Sequence, residues 1–295
     1  MNGIQKATRI AIISIPVAIL IFILKYLAYY LTGSIALYSD AFESIVNVIA
    51  TIAVVYVIWF SIKPADDNHP FGHHKAEYFS AVLEGALIIF AALLIIHQAW
   101  IALKHPCILD KPLLGLAINL TASSINSLWA YILIRNGKKY RSPALEADGR
   151  HFMTDVVSSA GIFTGLVATI WTGWPILDPL IAIIVAMHIL WQGWKIIKNS
   201  IQGLMDVGVE VEEIMRIHNI ISAHAKGTIE VHDLRTRIAG RIIFIEFHLV
   251  VPAAMTVSHA HTICDYIEHA LQNEIKNARV LIHIEPEDEA KLSLA

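Results

Sequence analysis

Cysteine is nearly absent: Cys107 and Cys264 are the only two among 295 residues, too few for a disulfide framework or a thiolate-rich zinc site. Charge is scarce as well. Charged residues make up 16% of the chain and hydrophobic residues 56%, against roughly 25% and 45–50% in soluble domains. That balance excludes an ordinary soluble protein and points to one embedded in lipid. A His-Glu-x-x-His helix, one support for a catalytic zinc, is missing. So is any basic stripe in the polar C-terminal part, which leaves nucleic-acid binding without support. The first apolar stretch follows Lys6 and Arg9, as in a signal peptide. It lacks a clear small-residue cleavage site and exceeds the usual apolar region of roughly 7–15 residues, so it is read as a retained helix.

What the chain has is apolar length. A hydrocarbon core about 30 Å thick takes roughly 20 apolar residues of helix, and six stretches qualify: residues 10–31, 35–61, 78–103, 112–135, 151–172 and 177–197. Thr32-Gly33 and Gly173-Trp174-Pro175 supply short turns, so the first two and last two spans form helical hairpins. Eleven flanking Lys and Arg residues, from Lys6 to Lys198, fall on one side of the membrane, and only Lys104 and Lys111 on the other. Basic residues favour the cytoplasm, so both termini are predicted to be cytoplasmic. The two cysteines then lie on opposite sides and cannot pair.

After Asp206 the character changes. Residues 1–205 carry 14 basic and 11 acidic side chains, a balance of +3, whereas residues 206–295 carry 8 and 14, a balance of −6. We read a transmembrane domain over 1–205 and an acidic, soluble cytoplasmic domain over 206–295. In the latter, 207–223 reads as an amphipathic helix, 228–238 and 242–251 as β-rich runs, 256–276 as a second helix and 280–285 as a last strand. The expected fold is a polytopic α-helical membrane protein with six transmembrane helices, followed by a small α+β domain of order αββαβ.

Polar residues inside the apolar spans mark the chemistry. An ionisable group at bilayer depth costs roughly 2.5–3.5 kcal/mol and usually faces an ion or substrate path. Glu43 and Asn47, and likewise His151 and Asp155, stand four residues apart, so each pair shares one helix face. Together they make a candidate four-ligand site in which three groups bind protons as well as metal. Polar pairs in bundles also serve as plain interhelical hydrogen bonds. Asp40 is a rival ligand, or it bonds the backbone or orients Asn47. In the loop Asp66-Asp67-Asn68-His69-Pro70-Phe71-Gly72-His73, the residues Asp66, His69 and His73 can close around one ion.

Eight of the fifteen histidines fall in the last ninety residues. His248 shares a strand face with Glu246, away from the hydrophobic side, and His283 and Glu285 alternate onto one face of the last strand. His261 lies near the start of the second helix. A three-residue hairpin loop ending at Gly240 puts His232 on the face of His248; a two-residue Ala239-Gly240 turn puts them on opposite faces. The longer loop is expected. His218, His224 and His269 read as solvated helix residues.

These residues resemble the cation diffusion facilitator family, particularly its bacterial iron/zinc efflux branch, over nearly the whole chain. The resemblance is carried by the stretch from Pro64 to Glu77, by Leu145-Glu146-Ala147-Asp148 with His151 and Asp155, and by His232-Asp233-Leu234-Arg235-Thr236-Arg237. It implies a homodimeric metal/proton antiporter of the bacterial inner membrane whose αββαβ domain is metallochaperone-like. By position it implies a transport site at Glu43, Asn47, His151 and Asp155, a loop site at Asp66, His69 and His73, and a binuclear cytoplasmic site at His232, His248, His261, His283 and Glu285. Lys75 and Asp206 match a charge pair that ties the two domains together at the dimer axis. Similar proteins usually carry Asp or His, then Asp, where this chain has Glu43 and Asn47, and a bridging aspartate in place of Glu285. Asparagine offers a neutral carbonyl oxygen and no proton, which opens the site to harder ions.

The expected function is efflux of Zn2+, Fe2+ or Mn2+ in exchange for protons, with no prosthetic group and with metal ions as substrate and regulatory ligands. An intramembrane metal-dependent hydrolase and a non-transporting metal sensor are the alternatives. A hydrolase needs a fixed ion, an open position for water and an acid/base group.

Overall fold

A computed structural model describes residues 3–32, 35–104, 112–172, 174 and 177–291. The backbone of Glu43 is included but not its side chain, and Cys107 lies outside the described residues. The chain divides into two compact units, Met1–Ile201 and Gln202–Ala295.

The first unit is built on six helices: α1 (Gly3–Thr32), α2 (Ile35–Ser61), α3 (Ala76–Lys104), α4 (Pro112–Tyr140), α5 (Pro143–Thr172) and α6 (Leu177–Leu204). Each is 27–30 residues long, which at 1.5 Å per residue spans about 40–45 Å, more than a hydrocarbon core. Among the described residues, Lys6–Leu31, Ala76–Ile101 and Ala117–Tyr140 are long and apolar enough to cross a membrane by composition alone. Large side chains such as Ile23, Trp59, Phe90 and Trp191 are exposed on the outside, the inverse of a soluble fold and the expectation for a lipid-facing surface.

Several helices outrun their apolar stretches. Hydropathy predicts ends at Arg135 and a start at His151, whereas α4 continues to Tyr140 and α5 begins at Pro143. Charged residues end a hydrophobic run without ending a helix. The turn itself is chemically marked: Arg141 has φ +52°, Ser142 Oγ accepts from the Leu145 amide at 3.4 Å, and Pro143 takes the first helical position, where its missing N–H costs nothing. The extra turns matter because they put Glu146, Asp148 and Arg150 on helix α5 rather than in a loop.

Small residues bring these helices together. Ala11, Ala18, Ala122, Ala130, Val54, Leu133, Leu145 and Phe152 join α1, α2, α4 and α5 in one buried cluster, and Ala81, Ile88, Ala92, Ile189 and Ile196 join α3 to α6 in another. At Gly149 a Cβ would stand 2.8 Å from the Ile134 backbone nitrogen, so α5 and α4 touch there nearly backbone to backbone.

The second unit has α7 (Val211–His224), β1 (Glu230–Ala239), β2 (Ile242–Val251), α8 (Val257–Glu274) and β3 (Ala278–Pro286), then a 3-10 turn over Glu287–Glu289. The αββαβ order matches the expectation. The sheet order is β1-β2-β3, with β1 antiparallel and β3 parallel to the central strand. Ile243, Ile245, Phe247 and Leu249 of β2 pack with Ile217 and Ile221 of α7 and Ile263, Ile267 and Leu271 of α8, so both helices cover one sheet face. Cys264 is buried in that core, and burial pushes its thiol up from the ordinary value, which keeps it unreactive.

The hairpin corrects one expectation. Ala239 pairs with Ile242, which leaves a two-residue loop, Gly240-Arg241, with Gly240 at φ +58°. That register alone would point His232 away from His248. A β-bulge restores the alignment: between the pairs Arg235↔Glu246 and His232↔His248, the residues Asp233 and Leu234 oppose the single residue Phe247. Asp233 takes φ +52°, a conformation a short polar side chain tolerates.

The α4–α5 contact yields a direct prediction. Gly149→Val forces a side chain against backbone, and overpacking of this kind costs roughly 1–3 kcal/mol. Thermal unfolding of the detergent-solubilised protein is expected to shift downward; an unchanged melting temperature would show that the two helices separate freely.

Candidate metal centres

Inside the membrane unit, α2 and α5 face each other through a polar stripe. Asn47 Nδ2 donates to Asp155 Oδ2 across 108 residues of sequence, and one turn away Thr51 Oγ1 donates to Asp148 Oδ1 at 3.3 Å. Asn47, Asp148, His151 and Asp155 are all buried. Asn47 Oδ1 and Asp155 Oδ1 have no hydrogen-bond partner among the described residues. A buried oxygen without a donor costs roughly 1–3 kcal/mol. Two of them on residues already in contact suit a cation. The backbone of α2 sets Glu43 one turn before Asn47.

The third helix enters unannounced. His151 Nδ1 lies 2.6 Å from Glu84 Oε2 on α3, both fully buried. On the other flank Lys25 of α1 donates to Asp40 Oδ1 at 2.7 Å, again fully buried. Asp40, a rival ligand on sequence grounds, is thus engaged by a cation of the chain itself. Lys25, Glu84 and Asp148 were all missed as site residues. The signal was available: Lys25 and Glu84 are ionisable residues inside apolar spans, the same criterion that singles out Glu43, and Asp148 precedes His151 by three residues on one helix.

The loop between α2 and α3 brings its three predicted residues together. Asp66 Oδ1 lies 3.1 Å from His69 Nδ1, and Asp66 Oδ2 lies 3.4 Å from His73 Nε2. A ligand atom from each of the three lies within 4.8 Å of the others. Asp66 also accepts from the amides of Asn68 and His69, at 3.1 and 2.7 Å, and Gly72 at φ +87° lets the chain fold back. His73 is buried beneath the Phe60 ring, with Nδ1 unpartnered among the described residues. Partial desolvation pulls the Asp66 carboxyl upward, but hydrogen bonds from the His69 amide and ring, with the charges of His69 and His73, outweigh it and hold the group below the usual carboxylate range.

In the second unit His232, His248 and His283 stand side by side across the three strands, on the sheet face opposite α7 and α8. Ring centroids are 5.2 Å apart for the first pair and 4.9 Å for the second. Glu285 reaches into the row, 2.6 Å from His248 Nδ1, 3.2 Å from His232 Nε2 and 3.8 Å from His283 Nε2. Although close, these contacts are not aligned as hydrogen bonds: His248 Nδ1, both His232 nitrogens and Glu285 Oε2 lack one among the described residues. Converging lone pairs without donors are the arrangement a divalent ion satisfies. Asp233 joins His232 and His248 in ligand reach; its carboxyl is held low, first by a 2.7 Å hydrogen bond from Lys291. His261 sits exposed on α8 near Asp265 at 3.9 Å, while the core-facing side of α8 covers the other face of the sheet. Lys75 and Asp206 fall in different units; Asp206 lies 3.5 Å from Arg237.

Such a chain, a helical membrane unit with a buried site of metal-ligand type followed by a small α+β domain, is that of a polytopic cation transporter. Residues 11–205 match the profile of the cation efflux transmembrane domain, and residues 209–287 that of the cation efflux protein cytoplasmic domain. An uncharacterized transporter of Synechocystis, sll1263, is 41% identical over 97% of this chain and 93% of its own length. The cation-efflux pump FieF of Yersinia pestis is 31% identical over 94% and 91%. A solved structure of CzrB in its zinc form is 44% identical over 29% of this chain and 98% of its own, with a TM-score of 0.28. The chain belongs to the cation diffusion facilitator family of divalent-metal efflux transporters.

The low Asp66 pKa has a signed consequence. A depressed carboxyl stabilises its loop fully above the ordinary aspartate value, and the contribution disappears as pH falls through the lower folded value. Amide exchange at Asn68 and His69 is therefore expected to stay protected down to about pH 4 and to accelerate only below it, and to be fast at every pH in Asp66→Ala. Loss of protection already at pH 6 in the unchanged protein would contradict this assignment.

Proposed function

We propose that this protein exports zinc, ferrous iron or manganese from the cytoplasm in exchange for protons, through a site formed by Glu43, Asn47, His151 and Asp155. The observation that carries the reading is the meeting of Asn47 and Asp155 in the buried interior, each with an oxygen left without a donor. Metal entering between α2 and α5 displaces protons from His151 and the carboxylates, because those ligands must be deprotonated to coordinate. It leaves on the outer side when the helices rock, and protons from outside reset the site.

Ligand chemistry bounds the cargo. Histidine with carboxylate suits zinc or ferrous iron, and the neutral Asn47 carbonyl adds oxygen character that moves the preference toward manganese. The relatives fit this range: one is a cation-efflux pump, and another was solved in a zinc form. Asp66, His69 and His73 form a second, loop site. His232, His248, His283 and Glu285 form the cytoplasmic site, which His261 joins only if a second copy of the chain presents it. Metal there draws two subunits into a homodimer and favours the transporting state, with Lys75 and Asp206 linking membrane and cytoplasmic domains. Both termini face the cytoplasm, and the chain sits in a bacterial inner membrane. It acts as a carrier rather than an enzyme, a reading supported by its place in a family of cation transporters.

Asp155→Ala is expected to abolish metal-driven proton flux in proteoliposomes loaded in turn with Zn2+, Fe2+ and Mn2+. Flux equal to that of the unchanged protein would remove Asp155 from the mechanism.

A further inference from the structure

The third helix presents two buried carboxylates on one face, Glu77 and Glu84, seven residues apart. Glu77 accepts from Ser61 Oγ of α2 at 3.0 Å and from Ser142 Oγ at the start of α5, so it ties three helix ends together. Glu84 has a different partner. Its Oε2 lies 2.6 Å from Nδ1 of His151, and no serine or backbone group shares it among the described residues. The backbone beneath it is fixed: at the next residue, Gly85, a Cβ would stand 2.7 Å from Ile197 Cγ1 and 3.0 Å from the Gly193 carbonyl oxygen, so α3 is seated against α6.

An imidazole has two nitrogens, and in its neutral form one donates while the other carries the lone pair that binds metal. A carboxylate accepts only. The 2.6 Å contact therefore places a proton on Nδ1 and leaves Nε2 as the nitrogen that, once deprotonated, offers a lone pair to metal. A carboxylate behind a metal-binding histidine fixes the ring orientation and makes the other nitrogen a better donor.

We propose that Glu84 is a positioning residue of the intramembrane site: it holds His151 in the tautomer and rotamer that offer Nε2 to the cation, and it brings α3 into a site otherwise built from α2 and α5. The inference rests on His151 being a ligand. Glu84 acts through His151 and does not itself touch the ion. Seated on α6 beside Gly85, it transmits any displacement of the α3–α6 pair to that ligand.

The test uses the full chain in proteoliposomes, with Zn2+ and Mn2+ as probes and three variants. Glu84→Gln keeps an oxygen that accepts from Nδ1–H but loses the charge, Glu84→Ala loses both, and Asp155→Ala serves as the control for the underlying site. Removal of such a supporting group typically weakens metal binding 10–100-fold. The expected result is a rise in the metal KM in that range for Glu84→Ala and a smaller rise for Glu84→Gln. In that second variant the maximal rate should be largely retained, and a histidine-selective 15N spectrum should still show the His151 proton on Nδ1. A merely structural carboxylate would instead lower the rate and melting temperature together and leave the KM unchanged. That outcome in both variants, with Asp155→Ala inactive, overturns the role of Glu84 alone. Full transport by Asp155→Ala overturns the site on which the proposal depends.

Discussion

Hydrocarbon offers no water to a polar side chain, so every charge this protein carries inside its membrane unit must find a partner within the protein. The contact between Asn47 on α2 and Asp155 on α5 meets that constraint for one oxygen of Asp155 and leaves the other, with the Asn47 carbonyl oxygen, without a donor among the described residues. Around it the chain places a set of mutually compensating groups: Lys25 with Asp40, Glu84 with His151, and Thr51 with Asp148. Breaking one partner of a buried pair costs roughly 3–5 kcal/mol, whereas replacing both by apolar groups is often neutral. Stability alone would therefore not demand these pairs. What they provide is a cluster of fixed charge whose few unbonded oxygens belong to Asn47, Asp155, Asp148 and Asp40.

The same device recurs outside the apolar spans. In the loop, Asp66 is locked by two amides and two imidazoles, and in the sheet Glu285 stands among three histidines. All three places combine a carboxylate with histidine, differing in exposure and in the rigidity of the element beneath. The sheet site depends on a single inserted residue. With the two-residue turn at Gly240-Arg241, a strand without the bulge at Asp233 and Leu234 would send His232 to the helix-covered face, where Ile245 and Phe247 form the core. The conformation of one aspartate thus decides whether the three histidines line up on one face.

Much of this was readable from residue order. Six apolar runs anticipate six helices, and alternation in β2 anticipates which face of the sheet is buried. Spacing of four residues pairs His151 with Asp155 on one side of α5. The parts that were not readable share a physical cause. Helix ends at Tyr140 and Pro143 lie beyond the hydrophobic signal, because backbone hydrogen bonding continues after lipid contact ends. The hairpin register depends on a bulge whose only local mark is an aspartate able to adopt positive φ. Glu84 and Lys25 announce themselves as buried charges but not their partners, since nothing in the order of residues says that α3 meets α5 at His151 or that α1 meets α2 at Asp40. His261, read from the sequence as lying near the start of the second helix, is exposed on α8.

The central claim is that a cation sits between α2 and α5. Crystals of the full chain grown with Zn2+ or Mn2+ test it through anomalous difference density. A peak bounded by Asn47, His151 and Asp155 at about 2.0–2.3 Å from its ligand atoms is the predicted result. Peaks at the Asp66 loop and the His232–His248–Glu285 row, with none between α2 and α5 under saturating metal, would contradict it.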